Sequence, residues 1–498
     1  EKEWDGADQR FAKAKRYASI LRKCKPELRI MIGNSLSSSE LVAELFRRKF
    51  PRELGDNLGM EVVSRNSLPE RQWEGALQAC ELMQLTARHY GYDWKPTSCF
   101  ESNYRLENLI GDDLQAFWYV RDMLVMHAWE FPDINVALMY DVANNYYHSF
   151  WGSSGLCQRV PYLYPKKAYV GVATLTRMLD CGKLIRSVPT GSNSVFALEF
   201  SRPDGTFAYA VWSARGTASL KFDFGGGLLE KLRYLRADDR ILNVDFYGRP
   251  LAFRGRVLAS EAAQYLHSPV PVKSITLGER TCTPEVALHE FKLVKTALSA
   301  GEWEIASEPD PYLEIKPGQV WLPCMKLGKA ELRSVLDPEK GACLELEIKN
   351  LDNLPDPYQE YAVIRLKNPV ELPGRPDTCG LWVKGNSGWG QIFWEFTDAA
   401  GKRLLSAGST ANADISDYEG RRCINFDGWF HIAFPLSEKS PIIPTSTGFA
   451  NEWSGDISHL QYPLKLTGIG FAAPARALVL TKRVPLRQVI RIKDITCR

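Results

Sequence analysis

No stretch of this chain approaches the eighteen or so uninterrupted apolar residues that a membrane-spanning helix needs, so no membrane partner is expected. Charge of one sign is lacking too: 62 basic residues stand against 59 acidic ones, a net of +3, and no long Lys/Arg block occurs. Nucleic acid is therefore not an expected partner. The eleven cysteines show neither CxxC nor a Cys/His spacing, so no zinc site, no other metal or cofactor and no dense disulfide framework is expected. Most of them read as small buried apolar residues, and the odd count leaves at least one unpaired in a monomer. The opening EKEWDGADQR holds no signal-peptide pattern. It suits a mature start, and a secreted, periplasmic or extracellular location is the expectation.

What remains is an ordinary globular composition. With 498 residues, 45% hydrophobic and 24% charged, the length prior gives about three domains. Fourteen Trp and twenty Tyr serve either as core packing or as flat surfaces on which sugar rings stack.

The first 180 or so residues repeat a helix and strand unit. Phe11, Tyr17, Ile20 and Leu21 fall at helical spacing, Pro26 ends that helix, and LRIMIGN follows as a strand. Ser38 and Ser39 cap the helix ELVAELFRRKF, closed by Pro51 and Gly55 before the strand MEVV. Ser67 and Glu70, three residues apart with Pro69 between, form a capping-box signature for a helix carrying Trp73, Leu77, Cys80 and Leu85 and ending at Gly91. The strand TSCFE comes next, then a helix capped by Asp112 with Leu114, Phe117, Val120 and Leu124 on one stripe. INVALMYD is a fourth strand, and Pro165 to Gly182 a last helix. Such alternation implies right-handed crossovers and a parallel sheet buried on both faces.

In each unit polar residues come directly after the strand: Asn34, then Arg65 and Asn66, then Glu101 with Asn103, Tyr104 and Arg105, then Asp141. Parallel α/β folds build their sites at the carboxyl ends of strands, so Glu101 is read as delivered to a site. The alternative for Glu101 is a surface ion pair with Arg105. Asn34, Arg65 and Asn66 bind sugar hydroxyls or cap loops. His148 and Trp151, following the fourth strand, line a subsite or serve packing, and Asp141 belongs to the site or equally caps the next loop.

From Ser187 onward the pattern changes to short strands and turns, with Pro203, Asp204 and Gly205 between VFALEF and FAYAVW as a hairpin signal. Residues 184–272 read as an antiparallel β-sandwich of structural role. After a linker-like GERTCTPE, residues 273–498 read as a jelly-roll sandwich. There Trp389, between Gly388 and Gly390, is the candidate stacking platform, whereas Trp382, Trp394 and Trp429 alternate as core residues. No calcium site is indicated.

The order of these pieces resembles the second half of a clan A retaining glycoside hydrolase, a (β/α)8 TIM barrel, in the style of the xylosidase and iduronidase-like family 39. EKEWDGADQRFAKAKRYASILRKCKPELRI resembles the family stretch from the acid/base Glu to strand five. YPKKAYVGVATLTRMLD resembles the last barrel helix, and FALEFSRPDGTFAYAVWSARG the β-domain after it. The resemblance makes residues 1–183 strands five to eight of the barrel, Glu101 the nucleophile, and Glu1, with Glu3 as fallback, the acid/base. It also implies a carbohydrate substrate and a partner: the missing N-terminal barrel half, as an upstream segment or a separate fragment. The C-terminal module resembles galactose-binding-like carbohydrate-binding modules. The expected function is a retaining glycoside hydrolase acting on a poly- or oligosaccharide with two Glu. The rivals are a noncatalytic carbohydrate-binding or scaffold protein, and a lyase or other enzyme on the same barrel.

Overall fold

The computed structural model describes residues 7–32, 44–60, 68–70, 76–98, 111–128, 131, 134, 139–141, 153–159, 162–225, 241–282, 288–296, 298–310, 313–314, 325–349, 359–405, 423–436, 461–474 and 487–498. Strand dominates these residues, arranged mainly as antiparallel sheets that face one another in sandwiches.

The N-terminal part begins with α1 (Ala7–Cys24), β1 (Met31–Ile32), β2 (Asn57–Met60), α2 (Ala76–His89), β3 (Pro96–Ser98) and α3 (Asp112–Ala128). The strands pair in the order β1, β2, β3, both pairs parallel. Parallel neighbours need crossover connections, which is why helical segments separate them in the chain. Arg22 in α1 holds the turn into β1: it donates to the carbonyls of Pro26 and Leu28, both at 2.8 Å, and to the Asp56 carboxylate at 2.8 Å. Burial works against ionising Asp56, but the Ile30 N–H and the Arg22 guanidinium outweigh it and hold the carboxyl below its ordinary range. Helix α3 is buried around nearly its whole circumference, from Gln115 and Ala116 through Trp118 to Met126, as befits a helix enclosed by other elements. Of the fourth expected strand, 134 to 141, only its ends are described; Tyr140 makes a parallel bridge with Cys157. No described helix is long and apolar enough to cross a membrane.

Helix α4 (Lys167–Leu179) leads into β4 (Lys183–Ser187), β5 (Val195–Ser201), β6 (Phe207–Ser213), β7 (Thr217–Asp223), β8 (Leu242–Val244), β9 (Pro250–Leu251), β10 (Arg256–Ala259), β11 (Gln264–Ser268) and β12 (Ser274–Thr281). Six of these form one sheet, in the order β4, β5, β6, β11, β8, β9; β10, β7 and β12 form a second. Val211, Leu220, Phe222, Val257 and Leu266 fill a shared core between them. Gly278 to Thr281, read from sequence as linker, is the end of β12 and pairs along β7 as far as Thr217.

The C-terminal part comprises β13 (Lys292–Lys295), β14 (Trp303–Ile305), β15 (Met325–Leu327), β16 (Lys329–Asp337), β17 (Gly341–Lys349), β18 (Gln359–Glu371), β19 (Thr378–Asn386), β20 (Gln391–Thr397), β21 (Arg403–Leu405), β22 (Asp427–Pro435), β23 (Lys465–Ala472) and β24 (Arg487–Cys497). One sheet runs β16, β17, β24, β19, β22 and the other β14, β18, β23, β20, β21. The alternation Leu344, Leu346, Ile348 on β17 and Ile392, Trp394, Phe396 on β20 puts one face of each sheet into a common core.

Candidate functional site

In the parallel sheet, Ile32 stands opposite Leu58, and Met60 opposite Ser98. The carboxyl ends of β1, β2 and β3 therefore lie at one end of the sheet. In sequence, Asn34 comes two positions after Ile32, Arg65 five after Met60, and Glu101 three after Ser98. The side chains themselves lie outside the described residues: Glu1, Glu3, Asn34, Arg65, Asn66, Glu101, Asn103, Tyr104, Arg105, His148 and Trp151.

What is described is the frame around them. Asp141 stands at the end of the fourth expected strand and bonds onward to residues 155 and 166, in line with the loop-cap alternative. Its Oδ1 accepts from the Gly155 N–H at 2.9 Å and from the Lys166 ammonium at 2.6 Å. Lys166 also donates to the Ser153 carbonyl at 2.9 Å, and Gln115 on α3 donates to that same carbonyl at 2.8 Å. Only glycine suits position 155, because a Cβ there would stand 2.2 Å from the Tyr140 backbone. One carboxylate and one lysine thus tie Ser153, Gly155 and Lys166 to the end of the fourth expected strand. Pattern reading missed Lys166 because it sits at a helix start beside Lys167, where two lysines look equally solvated.

A second buried polar group joins this unit to the β-domain. Glu70 takes both forks of Arg121, each at 2.6 Å, and its Oε1 also accepts from the Trp212 indole at 2.7 Å. The pair is wholly out of water. Burial disfavours the Arg121 cation, but Glu70 beside it raises the pKa above its ordinary value. The capping-box expectation for Glu70 depends on Ser67, which lies outside the described residues; the Glu70 carboxylate itself is held by Arg121 and Trp212. The available signal was Arg121, a charge set among Trp118, Tyr119, Val120, Met123 and Leu124.

The reading of Trp389 is corrected. It is 0% exposed, so it offers no stacking platform. Its indole N–H donates to the Asn193 carbonyl at 2.8 Å, and its ring lies 6.0 Å from that of Phe196 on β5. The residue is a bolt between the C-terminal sandwich and the β-domain. Around it, Ser194 Oγ stands 2.7 Å from Ser387 Oγ, Arg280 donates to Ser194 at 2.7 Å and forms an ion pair with Asp427, and Arg215 donates to Asn425 at 2.6 Å. Trp394 is core, as expected. Trp382 and Trp429 are only half-buried, with the Lys340 ammonium 3.6 Å above the Trp382 ring and the Asp337 carboxylate accepting from the Trp429 indole at 3.0 Å.

Among the described residues, no group of three or more His, Cys, Asp or Glu is placed to hold a metal ion. No protein-family model matches the chain, and no curated protein does. Among solved structures, a family 39 glycoside hydrolase from the gut symbiont Bacteroides cellulosilyticus WH2 is similar over 52% of this chain, at 11% identity and a TM-score of 0.38. This chain spans 62% of that protein's length. A family 11 carbohydrate-binding module of a cellulosomal cellulase of Clostridium thermocellum covers 42% of this chain with 93% of its own, at 11% identity and a TM-score of 0.22. A family 61 carbohydrate-binding module solved with β-1,4-galactotriose covers 41% with 98% of its own, at 9% identity and a TM-score of 0.20. At such scores these likenesses assign neither fold nor function.

Proposed function

We propose that the chain belongs to a retaining glycoside hydrolase acting on a poly- or oligosaccharide, with residues 1–183 contributing the second half of its (β/α)8 barrel. The observation that carries this reading is the shared carboxyl end of β1, β2 and β3, from which the chain runs on toward Asn34, Arg65 and Glu101. The order of sequence pieces from EKEWDG to the β-domain supports it further.

In this reading Glu101 attacks the anomeric carbon while Glu1 protonates the departing glycosidic oxygen, giving a glycosyl ester on Glu101. Glu1 then takes a proton from water, whose oxygen displaces Glu101 and restores the enzyme. Such a double displacement needs the two carboxyls about 5 Å apart. Asn34, Arg65, Asn66, Asn103, Tyr104, Arg105, His148 and Trp151 would contact the sugar, and no metal or cofactor takes part.

The partner in the reading is a further β/α segment continuing the sheet. Among the described residues strand β1 has a single neighbour, and α1 exposes Tyr17 (54%), Ile20 (48%) and Leu21 (44%), a stripe that another helix would cover. A noncatalytic carbohydrate-binding role is the second reading, favoured by half-buried Trp382 and Trp429 on one face of the C-terminal sandwich.

Labelling with a panel of 2-deoxy-2-fluoro glycosides, on the protein together with any such β/α segment, tests the catalytic reading. A glycosyl adduct mapped by mass spectrometry to Glu101, lost in Glu101→Gln, is the expected result. A complete, folded barrel that takes no label from the panel but is retained on immobilised polysaccharide would overturn it in favour of binding.

A further inference from the structure

Cys379 on β19 and Cys497 on β24 are register partners in an antiparallel pair. Both are buried, both carry free thiols, and among the described residues they form the one cross-strand pair of two cysteines. The type of pair decides what they can do. One position further along, Arg498 N–H donates to the Thr378 carbonyl at 2.9 Å and Thr378 N–H donates back to the Arg498 carbonyl at 3.3 Å. That exchange of both bonds makes Thr378 and Arg498 a hydrogen-bonded pair, so their neighbours Cys379 and Cys497 form a non-hydrogen-bonded one. In such pairs the α-carbons stand about 4.5 Å apart and the side chains lean together on one face, inside the range a disulfide spans.

We propose that Cys379 and Cys497 close a cross-strand disulfide when the chain folds in an oxidising compartment. The bond would fasten the last strand of this chain, β24, to β19 in the middle of its sheet. Formation takes an oxidised small-molecule disulfide such as oxidised glutathione. The thiolate of one cysteine attacks it and releases one glutathione thiolate; the second cysteine thiolate then attacks the mixed disulfide and releases the other. Two S–H bonds are lost, one S–S bond forms, and two glutathione molecules leave reduced.

Burial pushes both thiols up, and each Cys depends on the thiolate to react. Oxidation therefore belongs to the stage before β24 has docked. Once formed, the bond is shielded from reductants by the same core. The sequence between the two cysteines includes β20, β22 and β23. A crosslink across so long a loop restricts the unfolded chain strongly.

The test is to refold the protein in a buffer of oxidised and reduced glutathione, block remaining thiols with N-ethylmaleimide and digest without reduction. The expected product is a linked pair of peptides holding Cys379 and Cys497, with both sulfurs unblocked. The oxidised protein should also melt at least about 5 °C above protein unfolded and refolded in dithiothreitol, a gap that disappears in Cys497→Ala. Recovery of both cysteines as N-ethylmaleimide adducts, or linked to other cysteines, overturns the proposal. If Cys497→Ala fails to fold, the peptide map of the unsubstituted protein decides alone.

Discussion

His431 shows how one residue sets a pH limit on the C-terminal sandwich. It lies on β22, buried, with its Nε2 3.0 Å from Thr496 Oγ1, while Thr496 Oγ1 donates to the Gly380 carbonyl at 3.1 Å. The hydroxyl proton is thus used, so Nε2 carries the N–H and Nδ1 is the basic nitrogen. Nδ1 is buried with no hydrogen-bond partner among the described residues. Burial, with Lys340 adding to it, pulls the pKa down from 6.5 to about 4. In the unfolded chain the ring takes a proton as pH falls below about 6.5, while the folded chain resists until about 4. The His431 contribution is therefore complete above pH 6.5 and lost progressively toward pH 4. The urea midpoint should fall more between pH 7 and pH 4.5 in the unsubstituted protein than in His431→Asn, which keeps a donor toward Thr496. Equal falls in the two would show that other groups govern the acid side.

The limits of sequence reading are visible at the same scale. Trp389 looked exposed because glycines flank it, but those glycines let other parts of the molecule come close: a Cβ on Gly390 would stand 2.2 Å from Phe471. Trp389 sits in the loop between β19 and β20, where a burial created by another domain leaves no periodic mark. Trp394 was legible as core because its neighbours Ile392 and Phe396 alternate with it. Glu70 reads from its neighbours as a helix-cap residue, yet its partner Arg121 is fifty-one positions away and no local pattern pairs them.

At the scale of elements, helices alternating with strands are readable from Pro, Gly and apolar spacing, and β1 to β3 pair in parallel, although β2 (Asn57–Met60) shares only Met60 with the expected MEVV, whose other residues lie outside the described ones. Which helix face meets which neighbour is not readable. Helix α1 buries Ala18, packs half-buried Phe11 and Ala14 against the core, and leaves Tyr17, Ile20 and Leu21 outside. Helix α4 makes its contact through a gap in its side chains. Gly171 faces Phe246, and a Cβ there would stand 2.1 Å from the ring. That ring cannot step aside, since Phe117 packs on it edge-on at 5.1 Å and Tyr247 at 5.2 Å. Intrinsic propensity favours Ala over Gly in a helix by about 1 kcal/mol. Overpacking a filled core costs about 1–3 kcal/mol and here exceeds that gain. Gly171→Ala is therefore expected to destabilise by about 1–2 kcal/mol in urea titration. A stabilised variant would mean that α4 shifts away from the β-domain at little cost.

Across the whole molecule, the β-domain holds the other two parts together. Trp212 and Phe196 belong to one apolar cluster that also takes in Trp118 and Leu124 from α3 and Trp389 and Cys423 from the C-terminal sandwich. The Glu70 and Arg121 pair meets that cluster from one side through Trp212, and the Arg280 and Asp427 pair joins the β-domain to the sandwich from the other. Cooperative unfolding of a chain this long would follow from such continuity, because no part can open without exposing shared apolar surface. Trp389 is the test. Trp389→Ala removes the largest side chain that the sandwich places in the cluster and the hydrogen bond to Asn193. A cost of roughly 3–5 kcal/mol is the usual range for such a truncation. The loss falls on the contact between domains, whereas the sandwich keeps its own core of Leu344, Ile392, Phe396 and Ile492. Calorimetry should therefore resolve two transitions in the variant, the sandwich melting apart from the rest, where the unsubstituted protein shows one. A single transition at lower temperature in Trp389→Ala would instead mean that Arg280, Asp427 and the serines between them suffice to keep the domains unfolding as one.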